Sequence, residues 1–400
     1  MVINIELSPL PLPPSANPSH FIEFGREVHG VDPGNLDPQV FSEIERLLYK
    51  HGLLLFRSAS LSPEQQYALT RAFDLQTGTY GHGNNLLANQ QKSILHPYLK
   101  SIPRVPQVQL VGNGVIHNHE GFDEVELKHL ARKTLDVSAK AEEDELQFTQ
   151  FYRWHMDAAL YDLSPPRVTT LYGLRIPSGE SQVVRYDDGT DEQFKVPLAC
   201  TAFISTRTTF NALSPSSKSL AVRCSVKYAP HPFEWMAPAK SRNNGLGIES
   251  EGLEVPLSEL PEWDPSKIKI LPMLWKNPIT GDLHLQVNPS VLLELIIAPI
   301  PASKRAGADG DAVFPDGAHI TDLAAARELV YKLQRPSISP EFIYPHAWSE
   351  KDLILFHNQG LLHSAVGTLR RDQIRVFHQC HLAASADPAG PTEEDVLKWS

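Results

Sequence analysis

Between Asp37 and His51, apolar side chains recur at Val40, Ile44, Leu47 and Leu48, the spacing of one face of a helix, and Pro38 occupies its first turn. The run Leu53–Arg57 then reads as a buried strand. Ser62 and Gln65 have the spacing of a capping box, with Pro63 at the first position of a helix that runs to about Phe73. Further on, Leu323, Leu329, Val330 and Leu333 form the inner stripe of a helix from about Thr321 to Leu333. The remaining hydrophobic runs are short and bounded by turn residues. They predict strands at Val168–Tyr172, Ser181–Tyr186, Ala199–Ser205, Ala221–Tyr228, Ile268–Trp275, Leu283–Val287, Leu353–Phe356 and Ile374–His381.

Many short strands with a few helices point to a mainly β architecture, a barrel or sandwich with flanking helices. Residues 8–20 are Pro- and Ser-rich and read as an extended lead-in. The stretch Tyr80–Gln150 is poorly periodic and is expected to be a long functional loop. Neither an internal repeat nor a clear linker divides the chain. A single domain over residues 1–400 is expected, with core strands from about 151 to 385, a helical and loop region at 20–150 and an insertion at about 230–345.

Composition narrows the function. There are 36 basic against 47 acidic residues, a net charge of −11, so the chain has no overall attraction for a phosphate backbone or an anionic membrane surface. Proline, at 33 of 400 residues, disfavours long helical bundles. No run approaches the ~18 apolar residues of a membrane span, and the N-terminus lacks a signal-peptide pattern. Three widely spaced cysteines form no disulfide framework, so a reducing, cytoplasmic setting is expected. The sequence does not indicate an oligomeric state.

The chemistry concentrates near the middle and the end of the chain. His155-Met156-Asp157 follows a hydrophobic run, so His155 and Asp157 would point to the same side of a strand end. A His-x-acid triplet alone is weak, since about two are expected by chance among 17 histidines. Its weight comes from a distant partner. In DLILFHNQGLLHSAVG a buried strand and a Gly-containing loop lead to His363, and Arg375 follows twelve residues later. Two histidines and one carboxylate leave three cis positions open on octahedral iron. A guanidinium on a neighbouring strand can grip the far carboxylate of an oxo-acid through two parallel bonds.

In these motifs the chain resembles the taurine/2,4-D-type (TauD/TfdA) Fe(II)/2-oxoglutarate dioxygenases, and within them the fungal xanthine dioxygenases. The resemblance runs through LTRAFD, YGHG, SILHP, FYRWHMDAALY, VRYDDG, KYAPHPFEWM, LPMLWKNP, YKLQRP, FHNQGLLHSAVG and RVFHQC, nearly the whole chain. It implies a double-stranded β-helix, or jelly roll, with His155, Asp157 and His363 as catalytic iron ligands. It implies that Arg375 and, in the run CTAF, Thr201 bind 2-oxoglutarate, although the Gly-Gly-Asp that usually precedes this threonine is absent. Fe(II), 2-oxoglutarate and O2 would together oxidise xanthine at C8 to uric acid, with release of succinate and CO2. Lys128, Glu143, Asp144, Gln107, Gln379 and Cys380 are the expected substrate-binding positions. His381 stands where that group is expected to carry Asn.

The residues themselves admit other readings. The acidic run Glu142–Glu145 also fits a solvated face. Strand alternation sets Arg375, Gln379 and His381 on one face and His378 and Cys380 on the other, which favours Gln379 over Cys380 in a pocket and keeps His378 and His381 from sharing a zinc ion. The cluster His117–Glu120 is expected at the surface, beside a hairpin turn at Gly112-Asn113-Gly114. Rival functions are the same enzyme class with another small polar or anionic substrate, a metal-binding jelly roll without turnover, and a mononuclear zinc hydrolase.

Overall fold

The computed structural model describes residues 5–77, 100–128, 147–249, 253–305 and 313–400. Its main sheet runs in the order Glu6–Pro9, Arg26–His29, Leu53–Phe56, Leu353–His357, Val168–Arg175, Arg375–His381, Val105–His119 and Lys100–Ile102. A smaller antiparallel sheet holds Tyr344–His346, Thr201–Ser205 and Leu361–Ala365. The two sheets face each other. Leu171, Phe356 and Phe377 from the first interleave with Phe203, Tyr344 and Leu361 from the second, all buried. On its other face the main sheet packs Leu54, Phe56, Tyr172 and Leu355 against Ile44, Leu47, Leu48 and Leu69 of the N-terminal helices. Burial on both faces explains why Leu53–Phe56 is continuously apolar and not alternating. This is the expected jelly-roll class.

Local signals decide where the helices begin and end. Asp37 caps the helix Pro38–His51 by accepting from the Gln39 and Val40 N–H groups, and Gly52, at φ 73°, closes it in the left-handed region. Ser62 and Gln65 make the reciprocal capping box of the helix Pro63–Ala72. The later helix spans Leu323–Gln334, with Asp322 as its cap and Val330 and Leu333 buried. It covers a four-stranded sheet, whose strands include Cys224–Tyr228 and Leu292–Ile297, within the largest apolar cluster.

Three expectations are corrected. The Ala221–Tyr228 strand begins only at Cys224, because Pro215–Val222 is a helix capped by Ser214. The supposed loop Tyr80–Gln150 contains the strands Lys100–Ile102, Val105–His119 and Phe122–Leu127, and all three join the main sheet, the last by pairing with Val105–His119. Val105–His119 escapes a period-2 reading because several successive residues are buried on both sides. Gly112-Asn113-Gly114 is likewise not a hairpin turn. It is a bend inside that strand, and the reversal comes later, at Glu120-Gly121.

Several buried histidines make stability pH-dependent. Burial lowers the pKa of His284 to about 4, lowers that of His346, and holds His357 well below the usual range. In the unfolded chain these groups take up protons near the ordinary value of about 6.5. Their contribution is therefore full above that pH and is lost as pH falls toward their folded values. The urea midpoint is expected to drop between pH 7 and pH 5, with about 2 kcal/mol of the loss from His284 alone. A midpoint that stays flat over this range contradicts the assignment of neutral buried imidazoles.

Candidate active site

The candidate ligands cluster where irregular backbone, at His155 and Asp157, meets the regular strand that carries His363. Residues 151–157 form no continuous strand. They are held by isolated bridges, Phe151 to Val366 and His155 to His363. His155 and His363 exchange both backbone hydrogen bonds, at 3.0 and 2.9 Å, which sets their imidazoles side by side with ring centroids 4.3 Å apart. Asp157 is clamped through its backbone. Its N–H donates to Asn358 Oδ1, and its carbonyl accepts from Asn358 Nδ2, each at 2.8 Å.

From the Asp157 carboxylate, His155 Nε2 is 4.0 Å away and His363 Nε2 3.8 Å. The three donor atoms all lie within 4.8 Å of one another. His155 Nδ1 donates to the Arg153 carbonyl at 3.0 Å, leaving Nε2 as the lone-pair nitrogen on the ligand side. Burial, followed by the neighbouring His155, pulls His363 down to about 3, so it presents a neutral ring. Asp157 and His363 are buried, while the His155 side chain is 30% exposed, so the site opens on that side. Two imidazoles and a carboxylate on one side of a point fit Fe(II).

Arg375 begins the next strand and is buried. Burial lowers its guanidinium to about 10, with the Cys200 thiol opposing the shift. Among the described residues no carboxylate pairs with it and its Nε has no hydrogen-bond partner; its guanidinium carbon lies 3.9 Å from the Phe377 ring centroid. A buried cation without an acid partner is costly, and an incoming dicarboxylate relieves that cost. Thr201 is buried in the facing sheet, where its hydroxyl accepts from Trp348 Nε1 at 3.1 Å. Trp348 in turn packs edge-on to Phe377 at 4.7 Å.

The substrate candidates divide. Gln379 faces the triad, its amide nitrogen 3.2 Å from both Asp157 oxygens. His381 lies on the same face, buried, with Nδ1 3.8 Å from Asp157 Oδ2. Gln107 is half-buried on the adjoining strand. Lys128 is exposed and follows Leu127, whose partner Gly114 adjoins Asn113, the residue opposite Arg375. Glu143 and Asp144 lie outside the described residues. The structure does not bring Cys380 to the site: alternation turns it to the other face, where it packs on Ile102, Val105, Val108 and Leu382.

Sequence reading missed four groups at or beside the site. Asn358 clamps Asp157, and Thr169 donates to Asp157 Oδ2 at 2.8 Å. Gln109 is buried directly across from Gln379, and Trp348 holds Thr201. Only Asn358 carried a signal, lying in the same motif as His363. The expected surface cluster is also revised. His117 is exposed, but His119 and Glu120 are half-buried and meet His378.

A two-histidine, one-carboxylate centre between the sheets of a jelly roll, beside a buried arginine, is the arrangement of a non-haem iron dioxygenase. The chain belongs to the TauD/TfdA dioxygenase family: the pattern of the taurine catabolism dioxygenase TauD, TfdA family matches residues 10–381. Fe(II) is that family's metal, and 2-oxoglutarate and O2 are its cosubstrates.

Two fungal relatives align over nearly the full length. The alpha-ketoglutarate-dependent xanthine dioxygenase xanA of Emericella nidulans is 46% identical over 375 residues, 94% of this chain and 96% of its own. The alpha-ketoglutarate-dependent xanthine dioxygenase xan1 of Schizosaccharomyces pombe is 44% identical over 396 residues, 98% of this chain and 91% of its own. A solved taurine dioxygenase from Burkholderia xenovorans shares the fold, with a TM-score of 0.53 at 17% identity over 97% of this chain and 93% of its own.

Proposed function

We propose that this protein hydroxylates xanthine at C8 to give uric acid, coupled to decarboxylation of 2-oxoglutarate to succinate and CO2. The observation that carries this reading is the near-full-length identity of 44–46% with fungal xanthine dioxygenases. His155, Asp157 and His363 hold the iron. When bound, Fe(II) supplies the O2 chemistry that links oxidative decarboxylation to substrate hydroxylation. Arg375 forks onto the distal carboxylate of 2-oxoglutarate through two parallel N–H bonds. The Thr201 oxygen accepts from the Trp348 indole, which leaves its own proton to donate to the cosubstrate.

The purine is held by polar groups. Gln379 and Gln107 offer amides from adjoining strands of the inner face, Lys128 a cation, and Glu143 or Asp144 an acid. A flat heterocycle rich in donors and acceptors needs such partners, because each buried polar group left unmet costs about 1–3 kcal/mol. Cys380 takes no part. The whole chain acts as one dioxygenase domain on a small molecule. A cytoplasmic setting suits its three free thiols, Cys200, Cys224 and Cys380, and no helix of the described residues is long and apolar enough to cross a membrane.

Trp348→Phe tests the threonine's role. It removes one donor and keeps most of the packing against Phe377. The KM for 2-oxoglutarate is expected to rise roughly five-fold, the worth of about one hydrogen bond, with the KM for xanthine unchanged. An effect confined to xanthine contradicts the assignment.

A second reading keeps the reaction and changes the substrate. It is favoured by His381, a bulkier side chain than the expected Asn, buried 3.8 Å from Asp157. A succinate-release assay with Fe(II), 2-oxoglutarate and a panel of purines separates the two. Xanthine-dependent succinate with matching uric acid is expected. Succinate release with an unrelated acid and with no purine would end the xanthine reading while leaving the dioxygenase class intact.

A further inference from the structure

The bend in the Val105–His119 strand has a physical origin. At Gly112 a Cβ would lie 1.8 Å from the Arg375 carbonyl oxygen, and Gly114 sits at φ +91°. Glycine alone allows this close approach and the turn that follows. Past the bend the chain folds over the outer face of the main sheet, where Ile116, Val125 and Leu127 cover Leu110 and Val376. The end of the hairpin thus reaches the strand Arg375–His381 from the side opposite the active site.

There, three metal-binding groups meet. His119 Nε2 lies 2.9 Å from His378 Nε2, and a Glu120 oxygen completes a set of donors within 4.8 Å of one another. His378 is 2% exposed. Burial lowers both imidazoles, His378 to about 3, so both rings are neutral, the form that ligates. Glu120 also pairs with Arg104, and a carboxylate has two oxygens with which to serve both partners.

We propose that His119, Glu120 and His378 form a second metal site, suited to a borderline divalent ion such as Zn(II), that fastens the hairpin to the sheet. The donor set of two imidazoles and a carboxylate, completed by water, is one that tetrahedral zinc accepts. Zn–N bonds of about 2.0–2.1 Å require the two nitrogens roughly 3.3 Å apart, so the rings open by a few tenths of an ångström. The positive charge of Arg104 keeps the affinity below that of the triad. Fastening the hairpin steadies the strand that ends at Leu127 and leads into Lys128.

Zn(II) titration followed by calorimetry tests this. The wild-type protein should bind two equivalents and the His119→Gln variant one. In the His155→Ala/Asp157→Ala double variant one equivalent should persist and raise the melting temperature, and adding His119→Gln should weaken it at least ten-fold. His119 is half-buried in a hairpin, so its replacement spares the core, and His378→Gln provides an independent check with the same expected loss. Binding of a single equivalent by the wild type, or zinc binding unaltered by His119→Gln, would overturn the proposal and leave the histidine pair as a hydrogen bond only.

Discussion

Asp157→Ala is expected to abolish succinate formation and to strip iron from the purified protein. The residue supplies the one anionic ligand among three, and without it two neutral imidazoles must hold a dication alone. Loss of a partner outside the ligand set typically costs 10–100-fold, so removal of the ligand itself should exceed about 100-fold in activity and in metal retention. The fold should survive, because the Asn358 clamp grips the Asp157 backbone and does not use the carboxylate. Thr169→Val, which removes a 2.8 Å donor from Asp157 Oδ2, should give a milder loss in the same direction. Metal analysis beside a melting curve separates ligand loss from unfolding. An Ala variant that keeps both iron and turnover would remove Asp157 from the centre.

Arg375→Lys should produce the second large effect, on the cosubstrate. An ammonium keeps the charge but cannot reproduce two parallel bonds to a carboxylate. A charge-assisted bond is worth about 1.5–3 kcal/mol, so the KM for 2-oxoglutarate should rise roughly 10- to 100-fold, with the KM for xanthine much less affected. Unchanged cosubstrate dependence would transfer the role to Arg370 or Arg371. The structure gives neither a suitable place, since both are exposed and paired, Arg370 with Asp372 and Arg371 with Glu126.

The legible parts of this protein were those with local causes. The capping box at Ser62 marked one helix start because its bonds reach only three residues along the chain, and Pro38 marked another because its fixed φ suits a first turn. The candidate ligands His155, Asp157 and His363 stood out because their chemistry is carried by residue type and spacing. The illegible parts depend on long-range contacts. Thr169, Gln109 and Trp348 are ordinary strand and loop residues until the sheets bring them to Asp157, Gln379 and Thr201. The strand Val105–His119 was hidden for a related reason. Its pattern serves two packed faces and a glycine bend, and neither leaves a simple period in the sequence. Cys380 sits next to Gln379 in sequence and on the opposite side of the sheet in space, so adjacency in a motif misplaced it.

Xanthine oxidation here is driven by O2 and 2-oxoglutarate together. Turnover of xanthine under 18O2, with mass analysis of both products, tests it most directly. Uric acid and succinate should form in equal amounts, each carrying one oxygen atom derived from O2, and neither should form when 2-oxoglutarate is withheld. Uric acid whose new oxygen comes from water, formed without succinate, would contradict the account.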